Sequence, residues 1–257
     1  MPYTDTCSLP RPKRTRLRLI VGIGIQGLLV VCIWRVLAHT KLGPFLELVF
    51  FAEAVFIQLA APYLACRHLD IGLGALATAD ARCLSQRSRW RIFLRALVES
   101  QIGLYWFIGA VTVALLLYIP SVSDLSPLQV AFLQVVCVTY VFVGASIGAF
   151  FWRLTHHQLF ATELAYLGWA ILTGGVFLLA PLQRYVEDLE PIIPAVLRLN
   201  PLIAVCHLLK LDIFRTPYLY ELTPVASYLY VFPPWYAICG LQILIGALFL
   251  ILSLYHV

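Results

Sequence analysis

Apolar residues in this chain gather in long runs instead of alternating with polar ones. Six runs stand out, at roughly 17–38, 45–65, 100–119, 128–152, 159–181 and 235–254. Each is close to the ~20 residues that cross a ~30 Å hydrocarbon core at ~1.5 Å per residue. A barrel strand would instead show about 10 residues of alternating pattern. The runs therefore predict helices. Trp34, Tyr63, Tyr118, Trp152, Trp235 and Tyr236 fall at their ends, where amphipathic rings settle at a membrane surface.

Two polar stretches interrupt the pattern. The first, residues 66–98, opens with Cys66-Arg67-His68-Leu69-Asp70-Ile71-Gly72. Helical spacing continues through Leu69, Leu73, Leu76 and Ala77, with Asp70 and Asp80 as acidic points. It ends with an amphipathic segment from Arg87 to Val98. There Ile92, Phe93, Ala96 and Leu97 share a stripe, Arg91 and Arg95 stand four apart on another face, and Ser88 is the expected N-cap. Such a helix meets either anionic headgroups or a soluble partner. The second stretch, 182–234, starts polar and becomes Pro-rich at Pro191, Pro194 and Pro201. Its apolar piece, Ile203 to Leu209, is too short to span, which predicts either a re-entrant helix or one lying on the outer leaflet.

Composition narrows the class. The 257 residues are 61% hydrophobic and 12% charged, with mean hydropathy +0.89. A soluble domain carries about 25% charged residues, so the solvent for this surface is lipid. Of the eighteen Lys and Arg, twelve lie on the side of the N-terminus, including Arg11–Arg18, Arg67, Arg82, Arg87–Arg95 and Arg153. That asymmetry predicts both ends inside. The net charge of +5 is a topology signal, not a nucleic-acid footprint. The run after Arg18 is longer than a signal-peptide core and lacks a small-x-small cleavage site, so it reads as a first span. The expected architecture is one all-α polytopic membrane domain over 1–257, with six transmembrane helices.

Candidate chemistry is sparse. The seven cysteines form no C-x-x-C pair, and no metal or disulfide framework is expected. No phosphate-binding G-x-x-x-x-G-K-[ST] occurs, and Gly22-Ile23-Gly24 sits inside a span. Any ATP used must be bound by another chain. Inside the spans, Glu53 is the sharpest ionisable residue, with Gln58 further on; both are candidates for a path or a subunit seam. Gly144-x-x-x-Gly148 allows close helix packing within a subunit or between subunits, and Gly174-Gly175 allows a bend. His156 and His157, adjacent on a helix, point about 100° apart and chelate a metal poorly.

The whole arrangement resembles the membrane subunit of ABC-2 type transporters, the permeases of ABC exporters. The resemblance rests on Ala61-Pro62 at the end of the second run, then His68-Leu69-Asp70-Ile71-Gly72, then Arg87-Ser88-Arg89-Trp90-Arg91-Ile92, and Leu199-Asn200-Pro201-Leu202 before the last run. It covers nearly the entire chain, through the order and placement of individually weak motifs. The acidic segment is reduced relative to the family's, and Gln86-Arg87 and Arg95-Ala96 replace a proline and a Gly-Lys. The resemblance implies a dimer of permeases, identical or paralogous, in a bacterial inner membrane. It implies cytosolic ATPase subunits that bind ATP and Mg, with no cofactor in this chain. It also implies that Asp70, Asp80, Ser88, Arg89, Trp90, Arg91 and Arg95 couple to those ATPases, and that Asn200 and Pro201 belong to an external gate element. Two other readings compete. An intramembrane enzyme using Glu53, His156, His157 and Glu163 would bring those groups to one depth. A membrane scaffold would keep the polar island and need no path. A secondary transporter would show an internal repeat and coupling-ion residues, which the sequence does not display.

Overall fold

The computed structural model describes residues 46–77, 86–118, 125–186, 188–215, 222–228 and 230–255. The run at 17–38, and with it the sixth span, lies outside them, as does Asp80. Among the described residues the chain is all-helical and has five helices long and apolar enough to cross a membrane: it is a multi-pass membrane protein.

The first two helices depart from the boundaries that hydropathy predicts. Helix α1, Leu46–Ala77, does not stop at Ala65 but runs on through the first part of the polar island. Leu69 explains this, because it is fully buried and gives the extra turns an inner face. Helix α2, Gln86–Tyr118, is one unbroken helix of 33 residues that joins the amphipathic segment to the third apolar run. Its start at Gln86 puts Ser88 inside the helix, so Ser88 is not the N-cap.

Helix α3, Pro127–Thr155, is the centre of the bundle. In its apolar window 72% is buried, against 22% for the span that follows and 28% for the last. Its start is well specified. The Ser126 hydroxyl accepts from the Gln129 N–H, the Gln129 side chain accepts from the Ser126 N–H, and Pro127 needs no donor there. It ends at His156, in the left-handed region at φ 49°, whose N–H caps the Trp152 carbonyl.

Helix α1 lies parallel to α3 with a constant offset. The pairs Glu53–Gln134, Ala61–Gly144, Cys66–Gly148 and Asp70–Trp152 are all separated by 81–83 positions. Contact is closest at the middle two pairs. A Cβ on Gly148 would sit 2.7 Å from the Pro62 carbonyl oxygen, and one on Gly144 would sit 2.9 Å from the Ala61 Cβ. Gly144-x-x-x-Gly148 is thus used within the chain, against a proline that α1 carries in its interior.

Helix α4, Gln158–Gly174, ends at the Gly174-Gly175 pair. The span continues as a 3₁₀ turn, Gly175–Leu178, and a short α5, Leu179–Leu182. Two glycines cost about 1 kcal/mol each in a helix interior relative to alanine, and the ladder changes pitch at them. Next comes a helical hairpin: α6, Ile193–Leu199, and α7, Leu202–Leu209, joined at Asn200-Pro201. Helix α8, Trp235–Tyr255, closes the bundle. It approaches α3 at Gly246, where a Cβ would meet the Phe142 ring at 2.9 Å.

Candidate functional site

Two places concentrate polar chemistry. The first is the tip of the hairpin. The Tyr140 hydroxyl of α3 donates to the Pro201 carbonyl. The Asn200 amide donates to the Thr173 carbonyl at 2.8 Å, and its oxygen accepts from the Leu202 N–H at 3.0 Å. The Gln242 amide of α8 donates to the Leu199 carbonyl at 2.8 Å. Thr173 stands where α4 breaks, so Asn200 serves both an interrupted helix and the start of α7. Farther out, the Gln129 amide donates to the Leu208 carbonyl at 3.3 Å. Gln129 and Tyr140 lie about 16 Å apart along α3 at ~1.5 Å per residue. The hairpin therefore dips beside α3 to nearly half its length. Asn200, Pro201, Ile203 to Cys206, Leu208 and Leu209 are all buried, as a segment lying on the bundle's surface would not be.

The hairpin's outer end is tied down separately. Asp212 accepts from the Tyr230 hydroxyl and pairs with Arg215 at 3.1 Å, beside the rings of Phe214 and Phe232. Burial first, and then the hydrogen bond to Asp212, hold the Tyr230 phenol above its ordinary range. Burial alone lowers His207 below its ordinary 6.5.

The second place is the Thr155 end of the bundle. Asp70, expected to face a partner, is exposed, and it also accepts a 3.4 Å hydrogen bond from the Trp152 indole. Arg91, Leu94 and Arg95 are exposed, with Trp90 at 38% and the Arg95 side chain at 79%. Arg95 pairs with Glu99 at 2.8 Å, one turn on. Ser88 and Arg89 lie in the first turns of α2. The stripe of Phe93 and Leu97 turns inward, with Ile92 and Ala96 half-buried beside it.

Glu53 and Gln58 are both buried in α1, at 5% exposure. Glu53 accepts from the Gln134 amide at 3.2 Å, so it faces α3. The constant offset puts Gln58 level with Tyr140 and the hairpin tip. Glu53, His156, His157 and Glu163 do not form one constellation. Gln134 and His156 stand about 33 Å apart along α3, and Glu163 is exposed. Among the described residues no group of three His, Cys, Asp or Glu could hold a metal ion. Gln134, Tyr140, Trp152 and Gln242 are missing from the sequence-derived site. For the two glutamines the signal was a polar amide well inside an apolar run.

No family model matches the chain, and no curated protein or solved structure matches it either.

Proposed function

We propose that this chain is the membrane-spanning subunit of an ATP-driven exporter of the ABC-2 type. It pairs with a second permease, the same or paralogous, in a bacterial inner membrane with both ends inside. Separate cytosolic ATPase subunits dock on the segment 66–98 and bind ATP and Mg; this chain contributes no catalytic residue. One observation carries the reading. Helix α2 runs without a break from the exposed Trp90–Arg91–Arg95 face to Tyr118. Movement imposed on that face is transmitted along a stiff rod, where a jointed segment would absorb it. The buried hairpin before the last span supports the same reading, because non-helical backbone at membrane depth is stable only where protein or a cavity covers it. Apolar and aromatic residues dominate the spans, which favours lipidic or amphiphilic cargo.

A photo-crosslinking residue in place of Arg91 tests the docking site in intact cells. The reading expects a cytosolic P-loop protein in the cross-linked product. Cross-links to lipid alone would leave the basic face as a membrane-surface element and defeat the reading.

A further inference from the structure

A small satellite core lies at the Thr155 end of the bundle. Phe93 of α2 is fully buried there against Cys66 and Leu69 of α1, Ala149 and Trp152 of α3, and Ala161 of α4. Polar contacts lock the same place. Trp152, 6% exposed, sends its indole N–H to Asp70 of α1. The next residue, Arg153, holds its guanidinium 5.0 Å from the Phe93 ring centre and 5.7 Å from that of Trp152. Two consecutive residues of α3 thus reach two neighbouring helices, α1 through Asp70 and α2 through Phe93. An indole at a membrane boundary ordinarily turns its N–H toward water or headgroups; this one, on a buried ring, turns it to an exposed carboxylate on a parallel helix, 3.4 Å away.

From this geometry we infer that Trp152, Arg153 and Asp70 are positioning residues. They hold the exposed Trp90–Arg95 face of α2 at a fixed angle to α1 and α3. A load on that face then moves the three helices as one body and does not bend α2 away from the bundle. Neither α2 nor α3 has a break in this region, so the clamp decides whether the rod is anchored or pivots. Its role in coupling rests on the exporter reading above; the clamp itself does not.

The test uses the full chain in lipid, with spin labels introduced through unnatural amino acids at position 91 of α2 and position 154 of α3, both exposed. Distance distributions are compared for the native chain and the variants Asp70→Asn, Asp70→Leu and Trp152→Phe. Asp70→Asn keeps an acceptor for the indole. Asp70→Leu removes that acceptor, and Trp152→Phe keeps a ring but loses the N–H. A narrow distribution is expected in the native chain and Asp70→Asn, with loss of that narrowness in the other two in chains that still fold and insert. Should Trp152→Phe fail to reach the membrane, Asp70→Leu carries the comparison. Distributions as narrow as native in Asp70→Leu and Trp152→Phe would overturn the inference, even if an ATPase accompanies the chain. Broadened distributions in a chain with no ATPase partner would uphold the clamp and defeat the exporter reading.

Discussion

Gly148 brings α3 so close to α1 that an added Cβ would stand 2.7 Å from the Pro62 carbonyl oxygen and 2.9 Å from its Cα. The obstacle is backbone, which cannot rotate away as a side chain would. Gly148→Ala must therefore push the two helices apart. Overpacking of this kind costs about 1–3 kcal/mol. We expect a lower melting temperature in a native-like membrane environment, with Gly103→Ala, whose Cβ meets nothing within 4 Å inside α2, as the control that does not lower it and, by removing a helix-interior glycine, raises it slightly.

The hairpin tip is secured from three helices, so its contacts predict graded losses. Tyr140→Phe removes the bond to Pro201, and interhelical hydrogen bonds within membranes are worth about 0.6 kcal/mol on average and up to ~1.7. Asn200→Ala leaves the Thr173 carbonyl without its donor and the Leu202 N–H without its acceptor, which should cost more, about 1–3 kcal/mol. Limited proteolysis or hydrogen exchange across 193–209 should show the hairpin opening in that order. Equal protection in both variants would mean that apolar burial alone holds the hairpin.

His207 predicts a pH dependence. Burial lowers its folded-state value below the ordinary 6.5, so the folded chain prefers the neutral ring. A depressed value means full stability above the unfolded value and progressive loss as the pH falls below it. Melting temperature should thus decline below about pH 6.5, and His207→Leu should flatten that part of the curve. An unchanged slope in the variant would assign the acid sensitivity to other groups.

On the exporter reading, alanine at Arg89, Trp90 and Arg91 together should abolish stimulation of an ATPase by this chain while leaving membrane insertion intact. Both readouts are needed, because loss of insertion alone would report on folding. Unchanged stimulation would sink the assignment of this face.

The long spans were legible because an apolar run of about 20 residues has few other stable fates. Their ends were less so. Ala65 looked like the end of a span because Arg67, His68 and Asp70 follow it. The helix continues because Leu69 finds a buried place that only tertiary contact reveals. Ser88 looked like a cap for the same local reason. The packing of the hairpin against α3 was not legible, since the bond at its tip joins Tyr140 to Pro201, 61 residues apart. The resemblance points to Asp70, yet from sequence its partner Trp152 reads only as a surface anchor. Which side chains meet across parallel helices depends on register, and register is written in Gly148 and Pro62 together rather than in either run.

The central claim is that this chain works with a separate ATPase. Affinity purification from the native membrane in mild detergent, followed by mass spectrometry and measurement of ATP hydrolysis, tests it most directly. The account predicts a stoichiometric cytosolic protein bearing a P-loop and hydrolysis that depends on the presence of this chain. A preparation that retains other membrane complexes, yet carries no such protein and no such activity, would contradict it.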